Sequence, residues 1–141
     1  PNLPNTFYGT TKPISDNYNP ESLAISGFSR EQHLTFNDPK QTMLDFTEWV
    51  NRTNTNDRPI FMSDNNGYDW MFICYYFHHF TGSNPFGFSS RRIGDLYCGM
   101  KMSMRAGWKH LRGTTHDHNP VNDAKGNAEA LLKMFDMGLK L

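Results

Sequence analysis

The run Pro59-Ile60-Phe61-Met62-Ser63, with the residues after it, constrains the fold more than any other part of the chain. It is mostly apolar and too brief for a helix, which suits a short buried strand. The run stops at Asp64-Asn65-Asn66-Gly67, all turn formers. Residues 68–80 are then strongly aromatic and long enough for a helix, expected to be buried on more than one side. Strand, turn and helix in that order suit an α/β architecture, and the carboxyl ends of strands are where α/β sheets carry their sites. Asp69 stands at that place, near the start of the expected helix.

At 141 residues the chain is expected to be a single domain, residues 1–141, with one real core. Aromatic residues make up 14% of it, so that core is expected to be aromatic-rich. The formal net charge is zero, which argues against a whole-molecule field for nucleic acid and leaves any such binding to a local patch. Cys74 and Cys98 match no zinc spacing and read as reduced thiols of a cytoplasmic protein. No run is apolar enough to span a membrane, and no charged-then-apolar leader is present. The chain opens Pro1-Asn2-Leu3-Pro4 without Met, as a processed product or a segment of a longer protein does.

The other elements follow from caps and periodicity. Residues 6–8, extendable to 12, read as a strand, and short helices are expected over 21–26 and 28–34, the second with Ser29 and Gln32 as a capping box. Residues 38–52 make the clearest helix: Asp38 is the N-cap, Pro39 suits the first position, and Gln41 completes a capping box. Met43, Phe46, Trp49 and Val50 place one face inward. A helix capped by Ser89 or Ser90 runs through Ile93, Leu96 and Tyr97, and a helical turn covers 108–111. The last helix is expected over 123–137 with Ala124, Ala128, Leu131, Leu132 and Phe135 inward.

Two stretches bear on chemistry. In the first, Asn65 is expected to tie the turn through its side chain and Tyr68 to pack inward, which would fix where Asp69 points. In the second, His118 precedes Asp123 by five residues, and Asp123 opens an Ala-rich helix. Each acid alone is equally a helix-start residue favoured by the macrodipole, and a lone loop histidine is more often structural than catalytic. Together they describe two carboxylates, each after a turn and at a helix start, with an imidazole close by. Converging carboxylates repel unless a cation lies between them, and hard oxygen ligands select Mg²⁺ or Mn²⁺. Two such ions suit attack of water on a phosphodiester, with a neutral histidine taking the proton. His116 and His118 also form His-x-His, a zinc reading that lacks an evident third ligand.

The stretches Asn65-Asn66-Gly67-Tyr68-Asp69 and His118-Asn119-Pro120-Val121-Asn122-Asp123-Ala124 resemble the second and third motifs of the DEDDh 3′–5′ exonucleases. Phe7-Tyr8 through Lys12-Pro13-Ile14, and Ala24-Ile25-Ser26-Gly27-Phe28-Ser29, resemble the stretch between that family's first and second motifs. The short bacterial and phage members called exoribonuclease-like are most similar. The resemblance implies a ribonuclease-H-like α/β fold, a mixed sheet flanked by helices, and a two-metal site for Mg²⁺ or Mn²⁺. It implies Asp69 and Asp123 as metal ligands, with Asp69 on the leaving-group side, and His118 as general base. The family's first motif, Asp-x-Glu on a central strand, occurs nowhere in the chain, and the family would place that strand before Pro1. The fold is therefore expected to lack its N-terminal strands and two acidic ligands. It is also expected to expose a raw sheet edge, open to pairing with a second copy in a homo-oligomer.

The expected substrate is single-stranded nucleic acid, RNA included, attacked at its 3′ end. Arg91, Arg92, Lys101, Arg105, Lys109 and Arg112 stand against only Asp95 between residues 91 and 113. Such a cluster is as often a solvated surface as a phosphate-binding one. Asn65, Tyr68, Lys109 and Arg112 are the substrate-binding candidates. Phe86, Phe88 and Trp108 are available to stack on bases and equally suited to a core. The absent Asp-x-Glu supports a different reading, a non-catalytic nucleic-acid-binding or interaction module on the same fold.

Overall fold

The computed structural model describes Leu3, residues 5–55 and residues 57–140. Pro1, Asn2 and Pro4 of the opening segment lie outside the described residues, as does Asn56 in the polar stretch after the third helix. The described chain is mixed α/β. In order it forms α1 (Pro20–Ala24), α2 (Arg30–Leu34), α3 (Pro39–Thr53), β1 (Phe61–Ser63), α4 (Asn66–Thr81), β2 (Ser90–Arg92), α5 (Ile93–Met100), a 3₁₀ turn (Lys109–Leu111) and α6 (Pro120–Asp136). The two strands are parallel and in register, with Phe61 opposite Ser90 and Ser63 opposite Arg92.

β1 organises the packing because successive strand side chains point to opposite faces. Phe61 packs into a cluster built on Met43, Val50, Phe77 and Phe86 from α3, α4 and the loop before β2. Met62 packs into a second cluster of Ile93, Tyr97, Trp108, Ala130 and Met134, from α5, the segment before the 3₁₀ turn, and α6. Helix layers therefore lie on both faces of a small parallel sheet, as parallel strands require. Full burial of Phe77, Ile93 and Met134 stabilises the fold by about 1.5–3 kcal/mol each. Among the described residues β1 pairs with β2 alone, so its other edge is unpaired.

Local chemistry accounts for most of the helix starts. Ser29 and Gln32 form the expected capping box on α2. Asp38 caps α3 by accepting from the Lys40 amide at 3.0 Å. Gln41 does not complete a box there: its amide donates forward to Asp45 at 2.7 Å, an i,i+4 pair that competes with the backward bond. Met43 and Val50 are buried and Phe46 and Trp49 pack beside them, as periodicity predicts.

Several expectations are corrected. Residues 5–13 form no strand; Phe7 instead stacks on Phe46 at 5.0 Å, and the Thr10 carbonyl accepts from Thr42 Oγ1 at 2.9 Å. β2 replaces the first turn of the helix expected from Ser89 or Ser90, because those residues satisfy β1 and only then enter α5. α4 is not buried on several sides. Phe77 is its buried residue, while Tyr68, Met71, Phe72 and Tyr75 are exposed. α6 starts three residues early, at Pro120 behind an Asn119 cap, and its buried line is Gly126, Ala130 and Met134. Ala124, Ala128 and Leu131 instead face an open cleft, and Phe135 is exposed. Phe86 and Trp108 are core, whereas Phe88 is 91% exposed. Cys74 and Cys98 are free thiols, and burial raises the Cys74 thiol above its ordinary range. No helix of the described residues is long and apolar enough to cross a membrane.

Candidate active-site cleft

A cleft of about 700 Å³ runs along β1 and is closed on one side by α6. Its floor is apolar, from Ile60, Met62, Ile93 and the Ala124–Ala128–Leu131 stripe. Its polar groups gather at the carboxyl end of β1: Asp64, Asn65, Asp69, Arg112, His116, Asp123 and Asn127. Local sequence puts them there. β1 ends at Ser63, the turn carries Asp64 and Asn65, and Asp69 lies in the first turn of α4. Asp123 lies in the first turn of α6. Both acids therefore sit where a helix N-terminus favours negative charge, and both line one cleft.

The turn is held differently from expectation. Asn65 makes no side-chain cap; its carbonyl accepts from the Tyr68 and Asp69 amides at 2.9 and 3.0 Å. Asn66 is the tie, donating from Nδ2 to Ser90 Oγ at 2.7 Å and so linking α4 to β2. Tyr68 does not pack inward: it is 66% exposed, lies edge-on to Phe72 and is outside the cleft. Its packing does not aim Asp69; the backbone of the turn does.

The histidine loop is braced by Asp117. One carboxylate oxygen accepts from the Asn119 amide at 3.0 Å and the other from Asn122 Nδ2 at 2.8 Å. These bonds, that to Asn122 first, hold the Asp117 carboxyl below its usual range. His118 takes φ of 61° within that brace, a left-handed conformation uncommon outside glycine. Its ring is exposed and packs edge-on against His116 with centroids 4.6 Å apart. His116 lines the cleft, with Nδ1 2.6 Å from Asp123 Oδ1. That approach is not aligned as a hydrogen bond, and Asp123 Oδ1 is buried without a donor.

The basic cluster divides. Arg92 pairs with Asp95 at 2.9 Å, and Lys101 sits over the Tyr97 ring. Lys109 and Arg112 both reach the cleft end and both meet Asp64, at 2.8 and 3.4 Å. Arg112 also donates to Asn127 Oδ1 at 2.6 Å. Asn127 escaped the motif reading, although it lies four residues after Asp123 and so on the same helix face, which is a readable signal. Gly126 makes this arrangement possible: a Cβ there would stand 3.0 Å from the Thr114 carbonyl oxygen and 3.4 Å from Arg112 Cδ.

No protein-family model matches the chain. The 3′–5′ DNA exonuclease Cap18 of Escherichia coli is 34% identical over 137 residues, covering 89% of this chain and 71% of that protein. The chain belongs to the 3′–5′ exonuclease family. A 3′–5′ exonuclease acts on phosphodiester bonds, and the cleft is lined by three acids, Asp64, Asp69 and Asp123, with His116 and Arg112, while His118 and Lys109 lie outside its lining. For a dication, the donor set is partial. The buried Asp123 oxygen already stands against His116 Nδ1, so a cation there would have to share it. Among the described residues no group of three or more His, Cys, Asp or Glu is gathered closely enough to hold a metal. Asp69 and Asp123 do not by themselves make a metal site among the described residues.

Proposed function

We propose that the chain is a 3′–5′ exonuclease of the DEDDh type on a ribonuclease-H-like frame, hydrolysing the terminal phosphodiester of single-stranded nucleic acid. The observation that carries this reading is the convergence of Asp69 and Asp123, each in a helix's first turn, on one cleft, where His116 Nδ1 stands 2.6 Å from Asp123 Oδ1. Asp69 and Asp123 would hold part of a Mg²⁺ or Mn²⁺ site, with the remaining ligands coming from outside the described residues. When bound, such ions activate water and stabilise the leaving oxygen. Asp123 also fixes the local charge that orients His116. The family resemblance gives the proton-accepting role to His118, whose ring packs against that of His116, a residue of the cleft. Lys109 and Arg112 face phosphates, and Asn65 lies at the cleft end where a terminal nucleotide would sit. The relative's name specifies DNA, so single-stranded DNA is the first substrate to test, with RNA beside it.

The test is Mn²⁺-dependent nucleotide release from 5′-labelled single strands by this chain and its Asp123→Ala variant. Release by the chain and its loss in the variant support the proposal; equal release by both sinks it. A second reading, a non-catalytic single-strand-binding module, is favoured by the lack of a three-ligand metal group among the described residues. Binding without release by either protein supports that reading.

A further inference from the structure

We propose that Lys109 and Arg112 form a phosphate subsite that Asp64 occupies in the free protein, so that a substrate phosphate enters by displacing the Asp64 carboxylate. This deepens the nucleic-acid reading above and rests on it. Asp64 directly follows β1, and Arg92 ends the parallel partner strand in register with Ser63. Both strands thus deliver their ends to one place, where Arg92 Nε donates to the Asp64 carbonyl at 3.2 Å. The 3₁₀ turn and its C-cap bring Lys109 and Arg112 to the same carboxylate. A single oxygen, Oδ2, meets Lys109 Nζ at 2.8 Å and Arg112 Nη2 at 3.4 Å. Two cations thus share the one carboxylate of Asp64.

Arg112 shows that this arrangement is not fully satisfied. Its side chain is only 10% exposed, its guanidinium lies 4.8 Å over the Trp108 ring, and Asn127 fixes Nη2 from behind. Its Nε is buried and has no hydrogen-bond partner. Nε and Nη2 are the edge through which arginine grips a phosphate or carboxylate with two parallel bonds. Asp64 touches that edge at one nitrogen, and at a distance long for a charge-assisted bond. A phosphate brings more acceptor oxygens and can meet Nε, Nη2 and Lys109 Nζ together. Asp64 is 18% exposed, at a turn rather than inside an element, so its carboxylate can swing aside without unfolding β1. The aspartate then acts as a specificity device: anions weaker than a phosphate do not displace it.

The experiment is fluorescence anisotropy of a 5′-fluorescein ten-nucleotide oligothymidylate in EDTA, which removes cleavage from the readout. Wild type, Asp64→Asn, Lys109→Ala and the double variant are compared after circular dichroism confirms that each is folded. Asp64→Asn is expected to bind about tenfold tighter, because a like charge leaves the subsite while the amide keeps its size. Lys109→Ala is expected to weaken binding and, in the double variant, to shrink the gain. Repeating the titration with 3′-hydroxyl and 3′-phosphate ends identifies the phosphate. Tightening on both marks an internal diester, and tightening on the 3′-phosphate alone marks a terminal monoester. Wild-type binding that Asp64→Asn leaves unchanged or weakens overturns this inference and spares the nucleic-acid reading. Absence of binding in all four proteins overturns both.

Discussion

Two histidines stand near Asp123, and His116 alone of the two lines the cleft. His118 has the motif's spacing to Asp123, whereas His116 has the contact. Asp117 explains the division, since its bonds to Asn119 and Asn122 set the loop so that His118 turns outward at positive φ. With His118 as the base, His118→Ala should lower turnover by about 10²–10⁴-fold while leaving Mn²⁺ binding near normal. His116→Ala should lower it less, because that substitution removes a neighbour of Asp123 and not the proton acceptor. Single-turnover rates with metal titration measure both. The opposite ranking would move the role to His116. No reading of spacing alone separates residues two apart on a loop; backbone conformation decides which imidazole meets the acid.

Among the elements, α6 does most to build the site, and its start is a cap. Asn119 Oδ1 accepts from the Val121 and Asn122 amides at 3.0 and 3.4 Å. Asn119→Ala should destabilise the fold by about 1 kcal/mol, seen as a lower urea midpoint with an unchanged slope. A larger fall in activity than in stability would show that the cap also aims Asp123. Further along, Glu129 accepts from the Gly113 and Thr114 amides and the Thr114 hydroxyl at 2.9, 2.6 and 2.9 Å, pinning the loop that carries Arg112. Those bonds, from the Thr114 backbone first, hold its carboxyl below the ordinary glutamate range. A lowered folded-state pKa contributes stability above the unfolded value, about pH 4.3, and loses it as pH falls through the folded one. Glu129→Gln should therefore be less stable than wild type at pH 7, and the gap should close toward pH 3. Urea unfolding at both values checks it; a constant gap would mean that the charge is not what matters. These elements also show what sequence reveals. The Ser29–Gln32 box of α2 and the Asp38 cap of α3 were legible because a cap is a local bond between near neighbours, whereas Gln41 turned forward to Asp45. The face of α6 was not, because Ala124, Ala128 and Leu131 form a good apolar stripe that lines the cleft floor while Gly126 and Ala130 are buried for closeness of approach. β2 was hidden because three residues carry no periodicity, and its pairing with β1 is a contact across 28 residues.

For the whole molecule, zero net charge still leaves Arg92, Lys109 and Arg112 grouped around Asp64 at the strand ends. Acidic Asp95 pairs with Arg92 and Asp64 with Lys109 and Arg112, so any field there is local. Asp69 and Asp123 both line the cleft, each as a first-turn acid after a turn. The salt dependence of binding follows from this geometry. Arg92, Lys109 and Arg112 make the reachable set at the strand ends, and about three phosphate contacts on a single strand give a slope of log K against log salt near −2. Anisotropy titrations from low to moderate salt in EDTA measure it. A slope near zero would mean that stacking on exposed aromatics such as Tyr68 and Phe72 supplies the affinity instead. A slope steeper than about −4 would mean that the strand runs on over Arg91, Lys101 and Arg105, so that the whole basic segment 91–112, and not only the cleft end, is the binding surface.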